Sequence, residues 1–375
     1  MSERVIHTVK DRYLVDFYAN WCRGEGVPIY EGFAIDLLSI GAQPWPRFGI
    51  NGAFCHLKGR CDYLSIFLLE IPPGGKTTPQ QHIYEDVIYV LEGSGATTVE
   101  FADGQKHTFE WGPHSLFSVP LNARYQHYNG SGRNRARLAS TNSLRHILNL
   151  FRNEAFVFDN RATFPEREGP QDYFGGEGEF VAIRPGRHQW ETNFVADIQN
   201  FELKAWEARG AGGKSLRFIL AESSIGVHVS EFPVGRYKKA HRHPPGYCVF
   251  AITGHGYSLL WYEGDKDFVR TDWSPGVVYA PPDMMFHQHF NTAPEPARYL
   301  AVQMGSTRYP LFQNKFYTYD KGADSSTDEG GNQIEYEKQD PRIHKIFLEE
   351  LTKHGVRSDM ANFIDANLVG LQHGA

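Results

Sequence analysis

Short runs of β-branched and aromatic residues dominate the hydrophobic pattern of this 375-residue chain. Examples from its first half are DVIYVLEG, TTVEFADG, SLFSVP and RLAST. Turn residues separate such runs at a spacing of about ten residues, which is typical of antiparallel sandwiches and barrels. The pattern therefore predicts an all-β fold.

Two segments have helical spacing instead. Residues 11 to 23 predict a helix that Gly24 would end. Its apolar face would consist of Leu14, Phe17, Tyr18 and Trp21. A second helix is predicted to begin at Asp340 and Pro341 and to end at Gly355. The polar, glycine-rich stretch near residue 320 predicts a loop, and its sequence leaves open whether it covers a site.

The order of Pro, Gly, Trp, His and Asn residues repeats within the chain. EIPPGGKTTPQQHIYEDVIYVLEGSG, from Glu70, aligns without a gap with EFPVGRYKKAHRHPPGYCVFAITGHG, from Glu231, at an offset of 161. A second pair of segments, from Trp111 and Trp273, aligns at an offset of 162. Such self-similarity predicts two copies of one unit of about 90 residues.

The repeat sets the expected domain organisation. We expect an N-terminal arm with a helix (1–50), an N-terminal barrel (51–145), an inter-barrel linker (146–222), a C-terminal barrel (223–310), and a C-terminal loop and helix (311–375). Each barrel would be a closed or nearly closed antiparallel sheet.

Composition argues against several classes of function. The net charge is −6 and no block of basic residues is present, so nucleic acid is not an expected partner. No apolar run approaches the roughly 20 residues needed to cross a bilayer, and the N-terminus lacks a signal-peptide core. We therefore expect a cytoplasmic protein with no membrane partner. The four cysteines show no paired pattern, which argues against a disulfide framework.

Two pairs of histidines recur at a spacing of two residues, His241 with His243 and His287 with His289. Side chains at that spacing share one face of a strand. The repeat places both pairs in one unit, so a closed sheet could bring up to four imidazoles together. Neutral imidazole binds Fe, Zn, Cu, Ni or Mn. A lone buried histidine is usually only hydrogen-bonded, but two such pairs in one barrel favour a metal site.

These residues resemble the two sequence motifs of the cupin superfamily. The residues that match are Gly235, His241, His243, Gly254, Pro282, His287 and Asn291. Tyr247 stands where the first motif has its acidic ligand, and Met284 stands where the second has a glycine. The resemblance implies a bicupin, with two tandem jelly-roll β-barrels. It also implies a metal in the C-terminal barrel, held by His241, His243 and His287.

The N-terminal copy has lost most of the equivalent ligands. The residues at those positions are Gln80, His82, Asp86, Tyr125 and His127. Such a set could hold a metal in principle, but the substitutions favour a structural role for this barrel.

Three further residues are candidates for roles in the reaction. His289 could act as an acid/base or hydrogen bond to substrate, or could be a packed histidine bonded to the backbone. The Tyr247 hydroxyl could donate to substrate or bound oxygen, or the ring could only fill the barrel. Arg298 could recognise a substrate carboxylate. Because Arg137 occupies the same place in the other copy, a structural salt bridge is the favoured alternative.

Three-histidine cupin sites occur among thiol, diketone-cleaving and gentisate-type ring-cleaving dioxygenases. The resemblance therefore implies a non-haem Fe(II) dioxygenase that uses O2 to cleave a C–C bond of a small chelating, aromatic or β-dicarbonyl, substrate. The alternative is a redox-neutral isomerase, decarboxylase or hydrolase that uses Mn, Zn or Ni as a Lewis acid. A non-catalytic binding bicupin is a third class, disfavoured by the retained histidines. Bicupins commonly pair through their N-terminal arms, so we expect a homodimer or larger homo-oligomer.

Overall fold

The computed structural model describes residues 15–59, 64–184, 187–243, 247–311, 322 and 324–364. Strands dominate it. The strands of the first half are β1 Ile29–Gly32, β2 Ala34–Asp36, β3 Gln43–Trp45, β4 Ile50–Leu57, β5 Ser65–Ile71, β6 Asp86–Glu92, β7 Gly95–Glu100, β8 Lys106–Trp111, β9 Leu116–Ser118, β10 Arg124–Asn129 and β11 Ala136–Asn142.

The second half contains the same kind of elements. Its strands are β12 Glu179–Arg184, β13 Arg187–Thr192, β14 Phe194–Val195, β15 Lys204–Ala205, β16 Lys214–Leu220, β17 Ile225–Phe232, β18 Ala240–His241, β19 Tyr247–Thr253, β20 Gly256–Trp261, β21 Val269–Trp273, β22 Val277–Tyr279, β23 Phe286–Asn291, β24 Ala297–Met304 and β25 Gln333–Ile334. The α-helices of the described residues are α1 Phe17–Gly24, α2 Leu144–Phe151, α3 Glu154–Phe158 and α4 Pro341–His354.

Each half folds as a barrel made of one large and one small sheet. In the first barrel the large sheet has the order β1-β4-β5-β11-β6-β9-β14, with β3 beside β4, and the small sheet has the order β10-β7-β8. In the second barrel the orders are β12-β13-β16-β17-β24-β19-β22-β2, with β15 beside β16, and β21-β20-β23-β18-β25. The prediction of an all-β chain with two tandem barrels is confirmed.

The two barrels exchange strands. β2, from the segment before the first barrel, pairs with β22 of the second barrel through Ala34↔Tyr279. β14, from the segment between the barrels, pairs with β9 of the first barrel through Phe194↔Phe117. Both segments had been predicted only as an arm and a linker. Each supplies strands to the sheets of both barrels.

A buried arginine in each half anchors the exchanged segment. Arg137 donates to Glu70 and to the carbonyls of Leu37 and Leu38, which follow β2. The large sheets of the two barrels face each other beyond these anchors, and their outward apolar side chains form one shared core. This core includes Leu68, Tyr89, Phe218, Val229 and Phe250.

Helix α4 covers the outer face of the small sheet of the second barrel. Asp340 caps it by accepting from Arg342 N at 2.9 Å, Pro341 is its first residue, and Gly355 follows it with φ +66°. Both predicted ends are therefore confirmed. Its apolar side packs Phe347 against Tyr237 and Phe290 of the sheet.

Helix α1 begins later than its hydrophobic spacing predicts. Asp16 has an extended backbone and accepts from Ala19 N at 2.9 Å, so it is the N-cap and the helix begins at Phe17. The predicted end at Gly24 is confirmed, whereas Leu14 lies outside the described residues. None of the helices in the described ranges is long and apolar enough to span a membrane.

Candidate metal centre

Three imidazoles meet inside the second barrel. His241 is the last residue of β18 and lies opposite His287 of β23, while His243 follows two residues later on the same face. One nitrogen from each of these histidines lies within 4.8 Å of the other two. No other group of three potential ligands is found among the residues that the structure describes.

The donor set fits a single divalent ion. With metal–imidazole bonds of about 2.1 Å, two ligand nitrogens lie at most about 4.2 Å apart, so shifts of less than about 1 Å close the site. His287 Nδ1 donates to the Met285 carbonyl at 3.1 Å, which leaves the lone pair on Nε2 for a ligand. Buried His241 has its Nδ1 without a hydrogen-bond partner in the described structure. Burial, with added repulsion from Arg209, lowers the pKa of His241, and burial followed by repulsion from His243 lowers the pKa of His287. Both rings are therefore neutral near pH 7, as metal ligands must be.

Met284 explains one departure from the cupin motif. Its φ is +53°, in the left-handed region that favours glycine. Its backbone N–H donates to the His243 carbonyl at 3.1 Å, so this strained turn helps to hold a ligand strand in place.

His289 lies next to the three imidazoles but outside the group. Its Nδ1 is 2.8 Å from Ser258 Oγ, to which Trp273 also donates, and 3.1 Å from the Tyr279 hydroxyl. Burial, followed by repulsion from the positive charge of Lys238, lowers its pKa to about 3.

The same histidine arrangement exists in the first barrel. There His127 Nδ1 bonds Thr97 Oγ1 at 2.7 Å, and Trp111 donates to the same oxygen. The hydrogen bonds of His289 Nδ1 therefore belong to the shared architecture of the two barrels.

Tyr247, in the place of the acidic ligand, lies beside the cluster. Its ring centroid is 4.1 Å from that of His243 and 6.2 Å from that of His228. The side chain is partly exposed on the inner face of the large sheet.

Arg298 faces away from the cluster. Its guanidinium donates twice to Glu231 Oε2, at 2.6 and 3.1 Å, and once each to the carbonyls of Ile198 and Phe201, at 2.8 and 3.0 Å. It thereby anchors the segment that follows β14, as Arg137 does in the other half. These contacts use the donors that substrate recognition would need, and the structure contains the predicted alternative, a salt bridge.

Hydrogen bonds occupy four of the ligand positions of the first barrel, those of Gln80, His82, Asp86 and Tyr125. His82 Nδ1 donates to the Tyr84 carbonyl at 2.8 Å, and its Nε2 accepts from the Tyr125 hydroxyl at 2.9 Å. Burial raises the pKa of Asp86 to about 7, and its Oδ1 accepts from Ser140. Gln80 donates to backbone carbonyls. Hydrogen bonds thus replace coordination in this barrel.

The interiors of the two barrels differ at equivalent positions. The hydrocarbon side chains of the first barrel are Phe67, Leu69, Phe117 and Leu138, none more than 1% exposed. Their counterparts, found with the repeat offsets, are His228, Ser230, Tyr279 and Tyr299. Among the inward-facing residues of the second barrel, His228, His243, Tyr247 and Tyr299 are partly exposed. Hydrocarbon side chains fill these positions in the first interior, whereas polar side chains occupy them in the second.

Lys238 is the most unusual of these polar residues. It is only 2% exposed, and its ammonium donates to Ser230 Oγ at 2.6 Å and to the Tyr299 hydroxyl at 3.2 Å. No described carboxylate pairs with it. Burial lowers the pKa of Lys238. Burial alone would raise the pKa of Tyr299, but the adjacent Lys238 charge holds it below its usual value.

Sequence analysis missed Lys238 and Tyr299, although the repeat contained a signal for both. Their equivalents are Thr77 and Leu138, so the alignment replaces a small and an apolar residue by two ionisable ones. Comparison of the two copies at inward-facing positions would have found this pair.

Comparison with known proteins supports the fold. The chain matches no protein-family profile and no curated protein. A tryptophan-to-tyrosine variant of oxalate decarboxylase from Bacillus subtilis is similar at a TM-score of 0.50 and 13% identity, over 80% of this chain and 86% of that chain. A multi-residue variant of that enzyme gives the same values. Oxalate decarboxylase from Lactobacillus farciminis, in a formate complex, gives a TM-score of 0.49 at 13% identity, over 80% of this chain and 92% of the other. The chain therefore has the two-barrel fold of the bicupins.

Proposed function

We propose that this chain is a metal-dependent bicupin enzyme that acts on a small carboxylate in a redox-neutral reaction, with decarboxylation as the first candidate. A first-row divalent ion such as Mn²⁺, Zn²⁺ or Ni²⁺ would be held by His241, His243 and His287. The observation that carries the proposal is the contrast between the hydrocarbon-filled interior of the first barrel and the polar, histidine-lined interior of the second.

The charges around the centre favour an anionic substrate. Lys238 lies inside the barrel with only hydroxyl partners, and three neutral imidazoles leave the charge of a bound dication uncompensated. A carboxylate that binds there gains charge-assisted contacts in a site that excludes much of the water. A neutral or cationic substrate would leave a buried ammonium unpaired, which is costly.

Lys238 and Tyr299 supply the proton chemistry. The bound ion would act as a Lewis acid that polarises the substrate oxygens. In a decarboxylation the electron pair of the broken C–C bond stays on the carbon that loses CO2, and that carbon takes up one proton. The hydrogen-bonded pair of ammonium and phenol holds such a proton inside the barrel, and the partly exposed Tyr299 ring is within reach of a bound molecule.

The similar structures support this class of reaction over oxidation, since they are decarboxylases of a small acid. Their low identity limits the support to a shared fold on which such chemistry occurs.

An Fe(II) dioxygenase is the second candidate, and one observation favours it. The ligand set contains no carboxylate, and the Tyr247 ring, 4.1 Å from His243, stands where one would be. A neutral set attracts a chelating anion strongly, and the Tyr247 hydroxyl would be placed to donate to substrate or oxygen.

Metal analysis and an oxygen test separate the candidates. The protein should be purified without added metal, its metal content measured, and turnover of small carboxylates followed with and without O2. Mn, Zn or Ni at about one per chain, with CO2 release unaffected by O2, would support the proposal. Fe with strict dependence on O2 would favour the dioxygenase. No metal in wild type and in protein refolded with each ion would reject both.

A matched pair of variants locates the site. His243→Ala should lose the metal, whereas His82→Ala, the same change at the equivalent position of the first barrel, should keep it. Equal metal loss in both variants would show a general effect of unfolding and would not support a site in the second barrel.

A further inference from the structure

Three arginines of the second half lie near one another beside the inner face of the second barrel. We call Arg187, Arg209 and Arg217 the mouth cluster. Arg187 begins β13, Arg217 lies on the neighbouring β16, and Arg209 ends a 3₁₀ turn at Glu207–Arg209. Gln189 of β13 is paired with Arg217, and Arg217 is paired with His228 of β17, whose ring faces the barrel interior.

The mouth cluster has more positive charge than its surroundings compensate. Asp324 pairs with Arg187 and with Arg209, each at 3.0 Å. Arg217 is partly buried, yet it makes no hydrogen bond or ion pair with any part of the chain that the structure describes. Burial, followed by repulsion from Arg217, lowers the pKa of Arg187 to about 9. Within the described ranges, Asp324 is the carboxylate that forms ion pairs with this cluster, and a bound anion would offset further positive charge at Arg217.

The equivalent place in the first barrel is closed and uncharged. The strand registers pair Arg217 with His228 and Phe54 with Phe67, the repeat equivalent of His228, so Phe54 occupies the place of Arg217. Phe54 is 0% exposed, and its ring lies 5.5 Å from that of Trp21 on α1, which covers that barrel. The cations are thus a property of the second barrel and not of the shared architecture.

Arg217 is set back from the metal centre, whereas Arg209 lies 3.5 Å from Gln333, the strand partner of His241, and is close enough to repel that ligand. Tyr247, next to His243, is on β19, and the sheet order β16-β17-β24-β19 puts three strand spacings, about 14 Å, between β19 and β16. The rings of His228, the strand neighbour of Arg217, and of Tyr247 lie 6.2 Å apart, and the Tyr247 ring is 4.1 Å from that of His243, so both rings stand between Arg217 and the ligands. A carboxylate bound at the three imidazoles therefore leaves Arg217 for a second group.

We propose that Arg217, supported by Arg187 and Arg209, binds a second carboxylate at the far end of the substrate. The substrate of the proposed reaction is then a dicarboxylate longer than oxalate, with one end at the metal centre and the other at the mouth cluster. The inference rests on the proposed function for the first of these two contacts only.

Calorimetric binding of matched acids tests the subsite. The probes are succinate, glutarate and adipate, each compared with the monocarboxylate of the same chain length, in metal-loaded protein. Wild type should bind at least one dicarboxylate more tightly than its monocarboxylate. Arg217→Gln should weaken that dicarboxylate roughly tenfold or more, the loss expected for one charge-assisted contact, and leave the monocarboxylate unchanged.

Two controls make the outcome decisive. Arg133→Gln removes one positive charge from an exposed position of the first half and should leave both affinities unchanged. Arg217→Lys keeps the positive charge but lacks the planar guanidinium, so it should give an intermediate loss of dicarboxylate affinity. It also tests the subsite if Arg217→Gln folds poorly. Equal losses for the two kinds of acid, or no loss, would overturn the subsite.

The same titrations without metal separate this inference from the proposed function. If Arg217→Gln still reduces dicarboxylate binding but the metal makes no difference to either acid, the metal chemistry fails and the subsite stands. If the metal strengthens the binding of both acids and Arg217→Gln changes the affinity for neither, the subsite fails and the proposed function stands.

Discussion

Replacing Arg298 by methionine should destabilise the chain without affecting its metal centre. The substitution keeps an aliphatic side chain but removes four hydrogen bonds, two to Glu231 and one each to the carbonyls of Ile198 and Phe201. It leaves the Glu231 carboxylate, whose side chain is 17% exposed, without its main partner.

The expected magnitude follows from these contacts. Removal of one partner of a buried ion pair costs about 3–5 kcal/mol, and each lost carbonyl bond costs about 1 kcal/mol. Lys214 lies 3.3 Å from Glu231 and would still offset part of the negative charge of that carboxylate. The contributions together amount to about 5–7 kcal/mol, and we therefore expect the lower end, a decrease of about 5 kcal/mol in the free energy of unfolding.

Urea unfolding followed by tryptophan fluorescence measures this change, and metal content is measured on the same samples. Arg137→Met is the matched control, because its side chain makes the equivalent contacts in the other half and should cost a similar amount. Unchanged stability of Arg298→Met, together with weaker binding of carboxylates, would refute the structural assignment and return Arg298 to a role in substrate recognition.

Two further predictions concern ionisable groups inside the barrels. Lys238→Met should reduce carboxylate affinity by about 10- to 100-fold, because one hydrogen bond from a charged group is lost, and should have little effect on metal content. Unchanged affinity in a calorimetric titration would show that Lys238 does not contact the carboxylate. Burial raises the pKa of Asp86 to about 7. The folded state therefore binds more protons than the unfolded state between about pH 4 and pH 7. Because of this difference, the contribution of Asp86 to stability falls as the pH rises through that window. Asp86→Asn should flatten this decline in unfolding measurements from pH 4 to pH 8, and an unchanged pH profile would contradict the burial of a raised-pKa carboxyl.

Much of the metal centre could be predicted because it depends on local geometry. The spacing of His241 and His243 puts both side chains on one face of any extended segment, and the repeat located the partner strand with His287. The ends of α4 were predictable for the same reason, since Asp340, Pro341 and Gly355 act through contacts within a few residues.

Other features depend on distant partners and left no local signal. β2 and β14 are three and two residues long, too short for a strand pattern, and only their partners in the opposite barrel define them. The significance of Arg217 and Lys238 lies in having no carboxylate paired with either side chain among the described residues, which a sequence does not show. Arg298 was ambiguous until Glu231 and the two backbone carbonyls were seen to occupy its donors.

The exchange of strands has a consequence for how the chain is made. β2 is synthesised early, yet its partner Tyr279 follows more than 200 residues later, so the sheet it completes cannot close until most of the chain has left the ribosome. A fragment that contains only the first barrel would lack β14 and would expose the edge of β9. Exposed strand edges promote aggregation. Neither half is then an autonomous folding unit, and expression of the second barrel alone should yield insoluble protein.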